Sequence, residues 1–444
     1  MAFLKRYMKW YYIIFYIYIL INFEYPTRKE LVIYILILLI SYICMKLPYI
    51  EDSILAYFLT FFFGFLGVMQ PIASIKKVNL FSDTMRITDT MLLDESRRIW
   101  YLKYTIIVYI VFMISICIIK KIQTSILIKE KSRKYYILKI NPYILAIIYS
   151  IIRYIFQKKY TLLAPGKAAT ISGEAIWVYL IRITSIIILG VCWDSILRSE
   201  QNIKKVMAKG IIITIICALP QALMGSRSEM SLMIVQFLIL IIIKYRTFLK
   251  NYIADFIKII GTVIIFIALA IYISMYWRTG EFSSLSAFLA IRITGIVDGV
   301  VIANYVMCGG TFLSINHLLL SSLGVDGVES LASIYTHNII GYPSNVIHSD
   351  AQPFVTASYL YGGIVSLVIL SFIQILILLV CERKIMVWSK RNDYIYATFY
   401  VNVFVNIFFS AILEGGIDKE IQMLIVPLIA MVFYRMFRLR IKEN

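Results

Sequence analysis

The stretch Ser358-Tyr359-Leu360-Tyr361-Gly362-Gly363-Ile364-Val365-Ser366-Leu367-Val368-Ile369-Leu370-Ser371-Phe372-Ile373-Gln374-Ile375-Leu376-Ile377-Leu378-Leu379-Val380 contains no charged residue. An apolar run needs roughly 17 to 25 residues to cross a hydrocarbon layer ~30 Å thick, and 358–380 meets that length. It predicts a transmembrane helix. The same pattern recurs along the chain, at 8–23, 31–47, 54–75, 104–119, 140–156, 176–193, 211–224, 230–243, 259–276, 394–412 and 421–434. Several runs are short and must extend into flanking residues. The pair 211–224 and 230–243 reads either as two spans or as a re-entrant hairpin, and two spans fit the charge pattern better.

Composition agrees. Hydrophobic residues make up 61% of the 444 positions, and mean hydropathy is +0.83. A soluble domain must show water a mostly polar skin, and this chain has too little polar surface for that. The expectation is an all-α polytopic membrane protein with about twelve transmembrane helices. Residues 1–444 form one membrane domain, into which a large extracytoplasmic loop, 277–357, is inserted. Lys5, Arg6 and Lys9 precede the first run, but Asn22-Phe23-Glu24-Tyr25-Pro26 follows it without a small-residue cleavage site, so the run reads as a retained helix.

The formal net charge of +19 would suggest nucleic acid in a soluble protein. Here it reports topology. With the N-terminus inside, 27 of the 44 Lys and Arg residues fall in inner segments and 15 in outer ones. Acidic residues divide 9 to 16 the other way, so the inside nets +18 and the outside −1. This is the positive-inside rule, and it predicts both termini in the cytoplasm. Many of the 33 tyrosines sit near run ends, where amphipathic rings meet headgroups.

The six cysteines, Cys44, Cys117, Cys192, Cys217, Cys308 and Cys381, form no CxxC pair. Five lie in or beside apolar runs and read as small filler. The patterns GxxxxGK[ST], HExxH and GxSxG are also missing, which argues against an ATPase, a zinc protease and a serine hydrolase. No outer Asp/Glu cluster suited to a divalent cation is visible, so the expectation is no metal and no cofactor. Chemistry would then rest on Arg, His and single carboxylates.

Those residues concentrate in outer segments. The loop 76–103 alternates in charge, and Thr90 to Lys103 reads as an amphipathic helix lying on the membrane. The loop 277–357 holds His317, His337 and His348 together with Arg278 and Arg292. A loop of this length in a compact protein is usually functional, and a structural cap is the plainer alternative. Met224-Gly225-Ser226-Arg227-Ser228-Glu229 sets Arg227 on a short outer turn. Arg227 there either snorkels, pairs with Glu229, or grips a phosphate with its bidentate fork. Arg153 and Arg182 fall inside spans, where an ionisable group faces protein or a water-filled cavity.

The layout resembles the bacterial O-antigen and capsule polysaccharide polymerases, the Wzy family of oligosaccharide repeat-unit polymerases. The resemblance covers nearly the whole chain in hydropathy. It includes Gly225-Ser226-Arg227-Ser228 leading into an apolar helix, the late outer loop, and the aromatic, Gly-rich entry Tyr359-Leu360-Tyr361-Gly362-Gly363-Ile364. Thr336-His337-Asn338 is similar to a His-Asn pair of the wider group that includes O-antigen ligases. The resemblance implies a C-type glycosyltransferase-like membrane fold in the bacterial inner membrane. It implies transfer of a growing chain from undecaprenyl diphosphate onto an incoming lipid-linked repeat unit. In that scheme Arg227, Arg153 and Arg182 bind the substrate diphosphate, Arg278 and Arg292 act from the large loop, and His337 or His348 is the base. The plainer reading of both histidines, as caps of loop helices, stays open. Implied partners are undecaprenyl-diphosphate-linked oligosaccharides, membrane lipids, and flippase and chain-length regulator proteins; nucleic acid is not among them. The competing functions are an O-antigen ligase and a flippase or exporter of lipid-linked oligosaccharide.

Overall fold

A computed structural model describes residues 2–50, 53–80, 94–125, 141–158, 175–223, 227–245, 296–322, 328–329, 331–339, 341, 354–409 and 420–443. The described residues are helical or lie in turns and short connections. In chain order the helices are α1 (Ala2–Ile21), α2 (Arg28–Cys44), α3 (Ile54–Gly64), α4 (Gln70–Leu80), α5 (Glu95–Ser125), α6 (Pro142–Lys158), α7 (Ala175–Ser199), α8 (Ile203–Leu223) and α9 (Arg227–Lys244). They continue with α10 (Ile296–Met307), α11 (Ile315–Ser322), α12 (Leu331–Ile334), α13 (Phe354–Leu360), α14 (Gly363–Lys390), α15 (Tyr394–Asn406) and α16 (Glu420–Glu443). Every apolar run overlaps a described helix except 259–276, which lies outside the described residues.

Among the described residues four helical stretches are long and apolar enough to cross a membrane: Leu55–Ile75, Glu95–Ile122, Leu180–Ser199 and Gly363–Lys390. Shorter apolar helices include Lys9–Ile21, Pro142–Ile155, Leu232–Lys244, Tyr394–Phe409 and Leu424–Met436. Large apolar side chains face outward in continuous stripes, as at Ile144, Ile147, Ile148, Ile151, Ile152 and Ile155 of α6. In water such a stripe would drive aggregation; it belongs against lipid. The protein is a multi-helix protein built for a membrane.

Helices outrun the apolar runs because backbone hydrogen bonding continues where hydrophobicity stops. The 28 residues of α14 extend about 42 Å at 1.5 Å per residue, more than the ~30 Å apolar layer. Its end therefore carries Glu382, Arg383, Lys384 and Lys390, positions expected in a loop. Residues 95–103, expected to lie on the membrane as a separate amphipathic helix, are instead the first turns of α5. Their inward face is held by buried Arg98, Tyr101 and Leu102.

The chain divides into two compact units, each discontinuous in sequence. Unit 1 comprises 1–128, 286–380 and 407–422; unit 2 comprises 129–285, 381–406 and 423–444. In unit 1, α2 and α5 run parallel. Arg98 donates to Glu30 near their starts, and the Cys117 thiol meets the Pro48 carbonyl at the far end. The helix before α5 runs antiparallel to it. Thr60 Oγ1 and the Tyr109 hydroxyl lie 2.9 Å apart, and Phe63 stacks on Tyr109 at 3.9 Å. That helix is continuous from α3 to α4 through a π turn, Phe65–Met69.

In unit 2, α6 and α8 run parallel: Ser150 donates to the Ile216 carbonyl, and Tyr143 lies near Lys209. Between them, α7 is antiparallel to both, with Cys192 against Pro142 and Trp193 donating to Thr214. The 211–224 and 230–243 runs lie on the separate helices α8 and α9, paired antiparallel. At their contact a Cβ on Gly210 would fall 1.7 Å from Phe237 Cζ, so only glycine permits the approach. Helix direction thus alternates in each unit as a chain threading back and forth requires.

Candidate functional site

The described part of the 277–357 loop is folded onto unit 1. Helix α10 packs on α5, α4 and α13, and also on the π turn Tyr335–Ile339. Val300, Val301, Ile302 and Ala303 of α10 are buried. Helix α13 is buried almost all round, through Phe354, Val355, Thr356, Ala357, Ser358 and Leu360. An extended stretch after α10 is fastened at both ends. The Thr311 N–H donates to the Tyr305 hydroxyl at 3.2 Å, and the Leu313 N–H donates to the Leu360 carbonyl at 2.8 Å. The break between α13 and α14 uses Gly362 at φ +139° and Gly363 at φ +70°, a region L side chains rarely enter.

This arrangement gathers four aromatic side chains at one end of unit 1. Trp100 and Tyr104, one turn apart on α5, lie 4.5 Å from each other. The Tyr359 ring stands edge-on to both, at 5.0 Å and 78° from Trp100 and at 4.7 Å and 61° from Tyr104. Phe312 joins at 5.9 Å from Tyr359 and is 50% exposed. The other three are half-buried.

Of the histidines, His337 sits half-buried in the π turn, two residues from fully buried Tyr335. His317 lies on α11 with its N–H bonded to Ser314 Oγ at 3.1 Å and its ring 6.3 Å from Tyr361. His348, Arg278 and Arg292 lie outside the described residues.

The remaining arginines belong to unit 2. Arg153 is on the protein-facing side of α6, opposite its isoleucine stripe, and is 4% exposed. It donates to the Tyr149 hydroxyl at 2.6 Å and to Ser185 Oγ at 2.7 Å. Arg182 is exposed on α7, one turn before Ser185. Arg227 is the first residue of α9, and its side chain is outside the description. The helix registers set the three at one level. Ser185 contacts bring Arg153 beside the 181–185 turn of α7. The Ser150–Ile216 bond of the parallel α6–α8 pair sets Arg153 level with about residue 219, and the α8–α9 hairpin carries that level to the start of α9.

A polar pair that the sequence analysis did not single out lies in unit 1. Arg98 holds Glu30 with two bonds, Nε to Oε1 at 2.5 Å and Nη2 to Oε2 at 3.1 Å, both residues buried. Glu30 also completes a capping box with Thr27, whose hydroxyl reaches Glu95 at 3.0 Å. The Thr27-x-x-Glu30 spacing before an apolar run is the readable signal for the cap; nothing local announces Arg98 as the partner. Among the described residues no three His, Cys, Asp or Glu side chains converge. No protein-family model matches the chain, and no curated protein or solved structure matches it.

Proposed function

We propose that this protein is a membrane glycosyltransferase that polymerises undecaprenyl-diphosphate-linked oligosaccharide repeat units, with a C-type glycosyltransferase-like fold of about twelve spans and both termini in the cytoplasm. The observation that carries the reading is the common level of Arg153, Arg182 and Arg227 in an otherwise apolar helix unit. Three arginine positions at one helical level would raise the local potential where a lipid diphosphate would sit, and position 227 is at a helix N-terminus. Buried Arg153 would supply field from within the bundle, while Arg182 is exposed; Arg227 is assigned to the phosphate from its place at the helix start.

In the reaction, a hydroxyl of the incoming unit attacks the anomeric carbon of the growing chain. The bond from that carbon to the diphosphate oxygen breaks, and undecaprenyl diphosphate leaves as an anion. Arginines that meet the developing charge lower the barrier, and His337 or His348 takes the hydroxyl proton. Arg278 and Arg292 are assigned to the same loop-borne half of the reaction. Holding both large substrates in one place supplies the proximity contribution. The described part of the 277–357 segment is folded rather than strung out, which supports a working loop.

The test is turnover of purified protein with synthetic undecaprenyl-diphosphate-linked repeat units, products resolved by size. A ladder supports polymerisation. Transfer only to lipid A core would instead mark a ligase, and movement of intact lipid-linked units across a vesicle without new glycosidic bonds would mark a flippase.

A further inference from the structure

We infer that Trp100, Tyr104, Phe312 and Tyr359 form a sugar-binding corner that seats a pyranose ring of the acceptor unit; the inference rests on the glycosyltransferase reading above. In the bundle interior, aromatic rings are closed off. Phe63 and Tyr109 stack at 3.9 Å and 12°, and both are buried. The corner combines three features.

First, its rings come from three separate segments, α5, the extended stretch after α10, and α13, and converge while half-buried, with Phe312 50% exposed. Interfacial aromatics that anchor a helix need no such convergence. Second, the rings are set as walls rather than as a stack. Tyr359 stands at 78° to Trp100 and 61° to Tyr104, which leaves ring faces meeting at an angle. Third, the polar handles are unspent. The Tyr104 and Tyr359 hydroxyls share one contact at 3.4 Å, longer than a usual hydroxyl–hydroxyl hydrogen bond. Among the described residues neither hydroxyl makes a further hydrogen bond, and the Trp100 indole N–H makes none.

A pyranose has the matching chemistry. One face presents polarised C–H groups, which favour the negative face of an aromatic ring, and its rim carries hydroxyls that both donate and accept. A phosphodiester headgroup would want cations instead. One cation, Lys103, lies over the Tyr104 ring at 5.5 Å, so a phosphodiester is the competing occupant that the test below separates. Helix α10 is the shared neighbour of α13, which carries Tyr359, and of the turn that carries His337, so the corner and that histidine are fixed to one element.

The test uses the full-length protein in nanodiscs. Saturation-transfer NMR is recorded with the methyl glycosides of glucose, galactose, N-acetylglucosamine and N-acetylgalactosamine, and separately with glycerophosphoglycerol. At least one glycoside should receive saturation from the wild type. Trp100→Ala and Tyr359→Ala should abolish that transfer, while Trp100→Phe and Tyr359→Phe, which keep a ring face, retain part of it. In turnover assays the alanine variants should raise KM for acceptor about tenfold, equivalent to roughly 1.4 kcal/mol, with kcat little changed. The absence of any glycoside signal, a signal insensitive to Trp100→Ala, or a Trp100-dependent signal from glycerophosphoglycerol alone would each overturn the corner. A Trp100-dependent glycoside signal in a protein that makes no ladder supports the corner and sinks the polymerase reading. A normal ladder with unaltered acceptor KM in Trp100→Ala sinks the corner and leaves polymerisation standing.

Discussion

The backbone N–H of Tyr394 donates to Asp194 Oδ1 at 2.9 Å, joining residues two hundred positions apart. Asp194 thereby caps the start of α15 while its second oxygen holds Arg198 Nε at 2.8 Å. Beside it Lys244 donates to the carbonyls of Leu197 and Glu200, at and just past the end of α7, and Lys209 reaches Glu200 at 2.9 Å. Ends of α7, α8, α9 and α15 are tied by one polar network. Asp194→Ala should lower stability by about 2–3 kcal/mol, the range for losing charged hydrogen bonds. Asp194→Asn, which keeps the acceptor for Tyr394, should cost less. Thermal unfolding of purified variants in detergent checks the order.

Arg98→Ala and Glu30→Ala should each be more damaging, at about 3–5 kcal/mol, because each leaves a buried charge without its partner. The double variant should fall well short of the sum. Arg98→Lys keeps charge but loses the two-pronged geometry and should behave as an intermediate. A double-mutant cycle on unfolding midpoints gives the coupling; additive losses would show that the pair is not a unit.

Native cysteines test sidedness without any substitution. Cys308 is exposed, Cys117 half-buried, and the other four buried. With the large loop outside, a membrane-impermeant maleimide added to intact cells should label Cys308 and leave the rest. Labelling of Cys308 only after the membrane is permeabilised would reverse the orientation inferred from charge.

Much of this was readable beforehand, and the reasons are local. The Ile144–Ile155 stripe marks one face of α6 for lipid, which forces Arg153 to the protein side. Hydropathy finds the apolar middles of helices. It does not find where they end, since α5 begins at Glu95 and α14 runs to Lys390 through charged residues. It is equally blind to the π turn at Phe65–Met69, which costs one residue of register and leaves no compositional trace. Which helices become neighbours depends on contacts such as Asp194 with Tyr394, and no spacing rule spans that distance. The division into two interleaved units follows from those contacts and was not legible either. The aromatic corner was half legible: Trp100 and Tyr104 stand one helical turn apart in sequence, but Phe312 and Tyr359 join them only through folding.

Arg227→Ala should insert normally, yet turn over about a hundredfold more slowly and bind lipid diphosphate more weakly, as expected for losing one preorganised donor to a developing anion. Arg227→Lys should fall between wild type and Ala. A residue serving only to anchor the turn would leave the Lys variant unchanged. Polymer ladders and lipid-diphosphate binding, measured at matched protein levels, separate the two roles.

His337→Ala and His348→Ala address the base. A histidine base must be unprotonated to take the hydroxyl proton, so its contribution is lost on acidification. Turnover between pH 6 and 8 should therefore rise in the wild type and flatten in the variant lacking the base. Near-normal rates and profiles in both variants would show that no histidine takes the proton.

The interleaving of the two units also sets an order of events during synthesis. Tyr104 and Tyr359 are 255 residues apart, and at roughly 5–20 residues per second the second leaves the ribosome about 13 to 50 seconds after the first. Glu30 and Arg98 are both made early and can pair at once. Trp100 and Tyr104 must instead wait for Tyr359 while the whole stretch from 129 to 285 is synthesised. Unit 1 is thus begun first and finished after most of unit 2 has been made. A ribosome stalled anywhere in that interval would leave a membrane-inserted product with its ion pair made and its aromatic corner half built.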